Sequence, residues 1–296
     1  MAQDRPLLGI LLMLGFCLMA PMGDAMAKLL GATMPLLQLL IFRFAVQTAI
    51  LAPLAFRAGV MRLSRRVVLL SAVRTGLHIL GIGAMFLSLR FLPLADAVAI
   101  AFVMPFIMLL LGRFVLGETV GPRRLAACAV GFAGTLLVVQ PSFAEVGAPA
   151  LLPLFVALAF SLFMLTTRRV AKEADPIALQ FVSGLIAAGG LLAVWAVLGG
   201  IHPDLTVIAP GGRDMAFLVG IGVLGTLAHL LMTWSLRFAP SATLAPMQYL
   251  EIPVATMIGW LVFGDLPNGL AAVGIAVTAA SGLYVIQSER SGAGRA

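Results

Sequence analysis

A carboxylate, a guanidinium and an imidazole stand where nearly every neighbour is apolar. Glu251 lies in the run Met247-Gln248-Tyr249-Leu250-Glu251-Ile252-Pro253, and Arg74 and His78 lie four residues apart in another apolar run. On a helix that spacing puts both on one face. An ionised side chain removed from water is costly, so each such group needs a partner, a wet cavity or an opposite charge. Glu251 is suited to binding an ammonium, carrying a proton or pairing with an arginine; near an aqueous end it would simply be solvated. His78, central in its run, can contact a solute or titrate near neutrality. Arg74 can attract a carboxylate or reach for a water boundary. Gln248 and Tyr249 add hydrogen-bonding groups beside Glu251.

Backbone chemistry points to the same stretches. Pro105 and Pro253 each interrupt an apolar run, with Pro246 two turns before Pro253. A proline inside a helix frees the carbonyl four residues earlier, here Ala101, Tyr249 and Ala242. A buried free carbonyl must find a partner, either a neighbouring helix or a bound solute or water. Met104 and Trp234, with Met85, Met108, Phe163 and Met164, can form an adaptable apolar wall, although most methionines and phenylalanines here are expected in the core or facing lipid. The candidate solute-contacting set is therefore His78, Glu251, Gln248, Tyr249, Pro105, Pro253, Arg74, Met104 and Trp234. Arg43 and Gln47, four apart, share a face, and Arg43 is expected to form a structural pair with Asp24, Asp96 or a helix C-terminus. Asp24 and Lys28 are expected to pair at a rim, and His229 to hydrogen-bond between helices.

Other chemistries find no support. Gly220, Gly222 and Gly225 match a dinucleotide-binding spacing, but they sit inside an apolar run with no preceding strand. Close helix packing through small residues explains them. No phosphate-binding loop, Ser/His/Asp triad or His-Glu-x-x-His is present, so the chain is not read as an enzyme. Cys17 and Cys128 fit no metal spacing and are expected as reduced packing residues. No cofactor or metal is expected.

The elements that must position these groups follow from composition and repetition. Of 296 residues 61% are apolar and 10% charged, against about 25% charged in soluble domains. Lipid is the expected solvent. The net charge of +7 comes from short basic clusters between apolar runs, which is topology information rather than a nucleic-acid surface. Ser88-Leu89-Arg90-Phe91-Leu92-Pro93 returns as Ser235-Leu236-Arg237-Phe238-Ala239-Pro240, an offset of 147 residues that also carries Gly117-Glu118 onto Gly264-Asp265 and Val138-Val139-Gln140 onto Val285-Ile286-Gln287. The chain reads as two copies of one unit, residues 1–147 and 148–296.

Runs of about 20 apolar residues can span a bilayer. Ten are expected, near 7–27, 36–56, 67–88, 94–115, 123–140, 149–168, 176–198, 214–236, 242–263 and 267–286, with a disordered tail after Gln287. The first run, although followed by Ala25-Met26-Ala27, is read as a retained helix rather than a cleaved leader. With the N-terminus inside, the inner segments hold thirteen Lys and Arg and the outer loops three, Lys28, Arg90 and Arg213; both termini are thus expected in the cytoplasm. Five spans per unit is odd, so the second unit enters from the opposite side. The fold class expected is all-α integral membrane, with ten transmembrane helices as two inverted five-helix repeats around a central cavity. Such pairs can exchange outward- and inward-open arrangements.

With these residues in place, the chain resembles the drug/metabolite transporter superfamily, in its ten-helix form with two EamA domains. The likeness rests on Ser88 through Ala97, Pro105, Leu116-Gly117-Glu118 and Gly131-Phe132-Ala133-Gly134, and in the second copy on Ser235 through Ala242, Pro253, Phe263-Gly264-Asp265, Gly274 and Gly282. Asp265 departs from the glutamate usual there. Within the superfamily the chain looks most like bacterial aromatic amino-acid/paraquat exporters. The resemblance implies a secondary carrier of the inner membrane. Its expected solutes are amino acids, including aromatic and other neutral ones, exported with or without a coupled proton; the alternative is efflux of cationic drugs or other small metabolites.

Overall fold

The computed structural model describes residues 5–57, 63–117 and 120–293. Arg62, Glu118, Arg295 and the last residue, Ala296, lie outside them. Among the described residues the chain is all helical apart from one isolated bridge between Gly199 and His202. Helices α1 (Pro6–Leu30), α2 (Leu36–Arg57) and α3 (Arg65–Ser88) come first. The fourth apolar run is two helices, α4 (Leu94–Ala101) and α5 (Met104–Val115), followed by α6 (Pro122–Val146). Then come α7 (Leu152–Ala171), α8 (Pro176–Leu198) and α9 (Gly212–Phe238). The ninth run is a short α10 (Ser241–Leu244), a 3-10 segment over Ala245–Leu250 and α11 (Glu251–Phe263), and α12 (Gly269–Ala293) ends the described chain.

Every expected apolar run is helix, and the boundaries follow local chemistry. Ser64 caps α3 by accepting from the Val67 amide, and Asp175 caps α8 by accepting from Ile177 and Ala178. Prolines occupy the first turns of α1, α5, α6 and α8, where no intrahelical amide is needed. Two boundaries differ from expectation. Helix α6 continues past Pro141 and stops at Gly147, whose φ of +68° favours glycine. Helix α12 runs on through the tail expected to be disordered, to Ala293. Among the described residues seven helical segments are long and apolar enough to cross a membrane; apolar stretches at Leu125–Leu137, Met247–Phe263 and Gly269–Ser281 are shorter.

The interruptions at Pro105 and Pro253 are not kinks in continuous helices. After Ala101 the chain tightens, with Phe102 N–H bonded to Ala99 O at 3.2 Å and Val103 N–H to Ile100 O at 3.4 Å, and α5 begins afresh with Pro105 as its second residue. Pro253 likewise falls in the first turn of α11, behind the 3-10 segment. Proline is tolerated there because the first amides of a helix have no intrahelical acceptor. The two new helices start at Met104 and Glu251, which are mates under the 147-residue offset.

Four antiparallel pairs build the bundle: α1 with α9, α3 with α7, α2 with α8 and α6 with α12. Under the offset α1 corresponds to α7 and α3 to α9, so the first two pairs exchange and the last two map onto themselves. Glycines set the approach distances. Gly220 faces Met26, Gly222 faces Val46 and Gly225 faces the Arg43 guanidinium, each leaving no room for a methyl group. The dinucleotide-like spacing is thus helix packing, as expected.

One end of the bundle is tied by polar contacts from loops. Lys28 Nζ reaches Asp265 Oδ2 at 3.2 Å and the Leu92 carbonyl at 2.9 Å. Asp24 is therefore not its rim partner: Lys28 lies one turn nearer the end, where Asp265 is available. Arg90 grips Asp204 through both carboxylate oxygens, at 2.8 and 3.0 Å. Gln38 exchanges two hydrogen bonds of 2.9 Å with the backbone of Ile208. The hydrogen bond from Arg90 holds the Asp204 carboxyl below its ordinary range. A depressed native value means stability that is fully present above the unfolded value of about 3.9 and lost as pH falls through the native one. Amide exchange of residues 203–208, corrected for intrinsic rates, should therefore be flat from neutral pH down to about 5 and quicken in stronger acid. Asp204→Asn should show fast exchange at neutral pH, and exchange like the wild type would remove this clasp as the anchor.

Candidate functional site

A cavity among the described residues lies between α1, α2, α3, α4, α7, α9 and the starts of α5 and α11. Its volume is about 90 Å³, several times the ~10–15 Å³ that holds one water. Phe16, Ile82, Phe86, Phe102 and Phe160 make apolar walls, and four polar groups face the space: Asp24, Arg43, His229 and Glu251. They come from α1, α2, α9 and α11. The two helix breaks also meet here, because Met104 and Glu251, the first residues of α5 and α11, both line it.

Asp24 and Glu251 are the uncommitted groups. Among the described residues neither accepts a hydrogen bond nor forms a close ion pair, although Glu251 is 7% exposed. Arg43 is fixed on two sides, with Nη1 donating to Gln47 Oε1 at 2.8 Å and Nη2 lying 3.1 Å from His229 Nδ1. Arg43 and Gln47 share a face as expected, but the guanidinium is held by Gln47 and His229 rather than by Asp24, Asp96 or a helix C-terminus. Gln47 in turn donates to the Gln180 carbonyl at 2.7 Å, which locks its amide orientation. The open face of Gly225 lets the guanidinium lie against α9.

Of the nine residues expected to contact solute, Met104 and Glu251 line the cavity; the other seven stand behind its walls or away from it. Arg74 is fully buried and neither extends to a water boundary nor faces the space. Its Nε donates to Thr167 Oγ1 at 2.7 Å, Nη1 to Ser183 Oγ at 2.7 Å, and Nη2 to Gln180 Oε1 at 3.1 Å and Thr233 Oγ1 at 3.3 Å. Four helices, α3, α7, α8 and α9, converge on it, and every partner is neutral. His78 is caged by aromatic rings: stacked on Phe163 at 4.4 Å, edge-on to Phe44 at 5.2 Å and tilted against His229 at 4.3 Å. Neither of its ring nitrogens has a hydrogen-bond partner.

Gln248 points its amide nitrogen at Met164 Sδ, 3.3 Å away. Tyr249 packs its ring onto Gly131 of α6 and donates to the Cys128 carbonyl at 3.3 Å. Both follow from the 3-10 winding, which turns residues 248 and 249 away from the face that Glu251 presents. Trp234 packs with Leu51, Ala55 and Phe181 between α2, α8 and α9. Pro105 and Pro253 act through the backbone, by fixing where α5 and α11 begin.

Asp24, Arg43 and His229 were missed as cavity groups. Asp24 follows Phe16 and Ala20 on one face of α1, and that stripe pointed inward; the nearby Lys28 drew attention to the rim instead. Arg74→Lys tests the division between cavity and scaffold. One ammonium cannot reach four acceptors on three other helices, and leaving buried groups unpaired costs about 1–3 kcal/mol. The detergent melting temperature should fall by several degrees, and an unchanged value would mean the network is not structural.

Comparison with known proteins agrees with the all-helical membrane fold. The model of the EamA-like transporter family matches residues 7–140 and again residues 148–287. A riboflavin transporter of Rhizobium johnstonii is 30% identical over 216 residues, 73% of this chain and 69% of that protein. An S-adenosylmethionine uptake transporter of Rickettsia felis is 22% identical over 92% of this chain and 90% of its own. The pseudopaline exporter CntI of Pseudomonas aeruginosa is 26% identical over 85% of this chain and 86% of its own. A solved structure, described only as the crystal structure of a protein, superposes with a TM-score of 0.68 at 20% identity, covering 94% of each chain; at that identity the likeness is one of fold. With the family model matching nearly the whole chain in two copies, this multi-pass membrane protein belongs to the EamA-like transporter family and is a small-molecule transporter.

Proposed function

We propose that the chain carries a zwitterionic solute, an amino acid or a metabolite with an amino-acid head, by alternating access across the inner membrane. The observation that carries this reading is the polar set of the cavity: two uncommitted carboxylates from different helices facing one guanidinium. The ammonium of the solute would lie between Asp24 and Glu251, and its carboxylate against Arg43. The phenylalanine-lined walls suit an aromatic or aliphatic side chain. At about 90 Å³ the cavity holds the head group, and a larger side chain requires the space to widen toward one end.

Two inverted units, residues 1–147 and 148–296, would supply the exchange of conformations, with ten crossings and both termini in the cytoplasm. Support comes from the exchange of the α1–α9 and α3–α7 pairs under the sequence offset. The basic bias of the segments expected inside fits that orientation. The named solutes of the relatives differ widely, but S-adenosylmethionine carries an amino-acid head, which suits this cavity. Export is the direction read for amino acids. A second reading, transport of a cationic drug or metabolite, is favoured by the excess of carboxylates over guanidinium in the lining.

Counterflow into proteoliposomes preloaded with unlabelled competitor separates these readings. Labelled phenylalanine and other neutral amino acids should accumulate and saturate. Glu251→Gln should lower their counterflow at least about tenfold, equivalent to ~1.4 kcal/mol, with folded yield unchanged. Accumulation of organic cations or riboflavin but of no amino acid would overturn the zwitterion reading, and unaltered kinetics in Glu251→Gln would remove that carboxylate from the site.

A further inference from the structure

His229 Nδ1 has two neighbours that make incompatible demands. Arg43 Nη2 stands 3.1 Å away and can only donate; the Gly225 carbonyl stands 3.0 Å away and can only accept. A neutral ring with Nδ1 bare takes the Arg43 hydrogen, and the Gly225 carbonyl keeps only its helical bond from the His229 amide. A ring carrying a proton on Nδ1 donates to Gly225 and sets N–H against N–H at Arg43. The side chain is 6% exposed, lines the cavity, and has no partner at Nε2.

We infer that His229 and Arg43 form a linked proton and carboxylate site, in which a proton taken from solvent onto His229 and a solute carboxylate on Arg43 bind together. Each event favours the other. Protonating Nδ1 turns the ring toward the Gly225 carbonyl and releases Nη2 of Arg43 for a carboxylate. A carboxylate seated on Nη2 lies within about 4–6 Å of the ring, the range over which an opposite charge stabilises the imidazolium. Linkage makes the coupling reciprocal.

The surroundings include charges of both signs. Asp24 of α1, Arg43 of α2, Arg74 and His78 of α3 and Glu251 of α11 are the ionisable groups around the ring. The Cys17 thiol of α1 faces the Met247 carbonyl instead. From α7 come Phe160 and Phe163, from α8 the neutral Gln180 ends at Thr233, and α10 carries no titratable residue. A carboxylate arriving on Arg43 offsets the guanidinium nearest the ring, so the proton is taken up with the solute. This inference rests on the cavity being the solute site.

Calorimetric titration of the purified full chain with L-phenylalanine, in buffers of different ionisation heat between pH 5.5 and 8, counts the protons bound. The expected result is net proton uptake and an affinity that rises as pH falls. Phenethylamine, the same solute without its carboxylate, should bind with no proton uptake. His229→Asn should bind phenylalanine about tenfold more weakly and without proton uptake. Phenylalanine binding with no proton uptake in the wild type overturns the linked site while leaving the transport reading intact. If phenylalanine does not bind, the zwitterion reading fails by itself, and propionate, a bare carboxylate, is titrated in its place: proton uptake then supports the linked site, and no binding or no uptake overturns it.

Discussion

Two guanidiniums, Arg43 and Arg74, are enclosed in a bundle with almost no water to solvate them, and much of the packing answers that fact. Burying a cation is tolerable only where its N–H groups are all received. Arg74 comes close to that condition, with four of its five N–H groups given to three hydroxyls and an amide drawn from α7, α8 and α9. That single side chain therefore cross-links four helices. Arg43 is answered only in part, by Gln47 and His229, and the remainder of its charge faces the cavity. The same residue type is structural in one place and available for binding in the other because of how many acceptors converge on it.

Broken helices supply the second part of the arrangement. A backbone interruption at mid-depth is affordable only where the protein or a cavity satisfies the freed groups. Both interruptions here abut one cavity, and the first residues beyond them, Met104 and Glu251, are repeat mates that line it together. Equivalent geometry carries unequal chemistry: a thioether from the first unit and a carboxylate from the second. A duplicated scaffold thus presents an asymmetric site. That is what a solute with distinct polar and apolar ends requires.

Much of the scaffold was legible in the sequence, because it follows from short-range chemistry. The Ser-Leu-Arg-Phe repeat, the prolines and the caps at Ser64 and Asp175 put each helix close to its expected place. The site was legible only in part. Glu251 and Met104 could be read from a charge and a break; Asp24 and His229 could not, since which residue faces a cavity depends on the rotation of α1 and α9 against each other. That rotation is set by contacts such as Gly15 against Leu231 and Gly9 against Ala239, more than 200 positions apart in the chain. Arg74 and His78 share a face as expected, but the face turns toward α7 and α8, because the acceptors for a guanidinium are there. Tyr249 and Gln248 were displaced by a 3-10 turn that no local pattern announced.

The two ends of the bundle are closed by different kinds of contact, and this bears on how it could open. At the end of Lys28 and Arg90 the closures are partly exposed ion pairs and loop clasps, which are individually weak and exchange readily with water. In the opposite half an exposed pair, Arg66 with Glu173 at 3.0 Å, lies beyond the Arg74 network, which is fully buried. Breaking a buried salt bridge strands an uncompensated anion, a penalty of about 3–5 kcal/mol. Arg74 has no anionic partner to strand. Its hydroxyl and amide partners can bond to water or to one another, so the four helices can separate around it with water taking their place. A carrier needs closures that are firm yet reversible at both ends; weak charged contacts serve at one, and a cation held by neutral groups serves at the other.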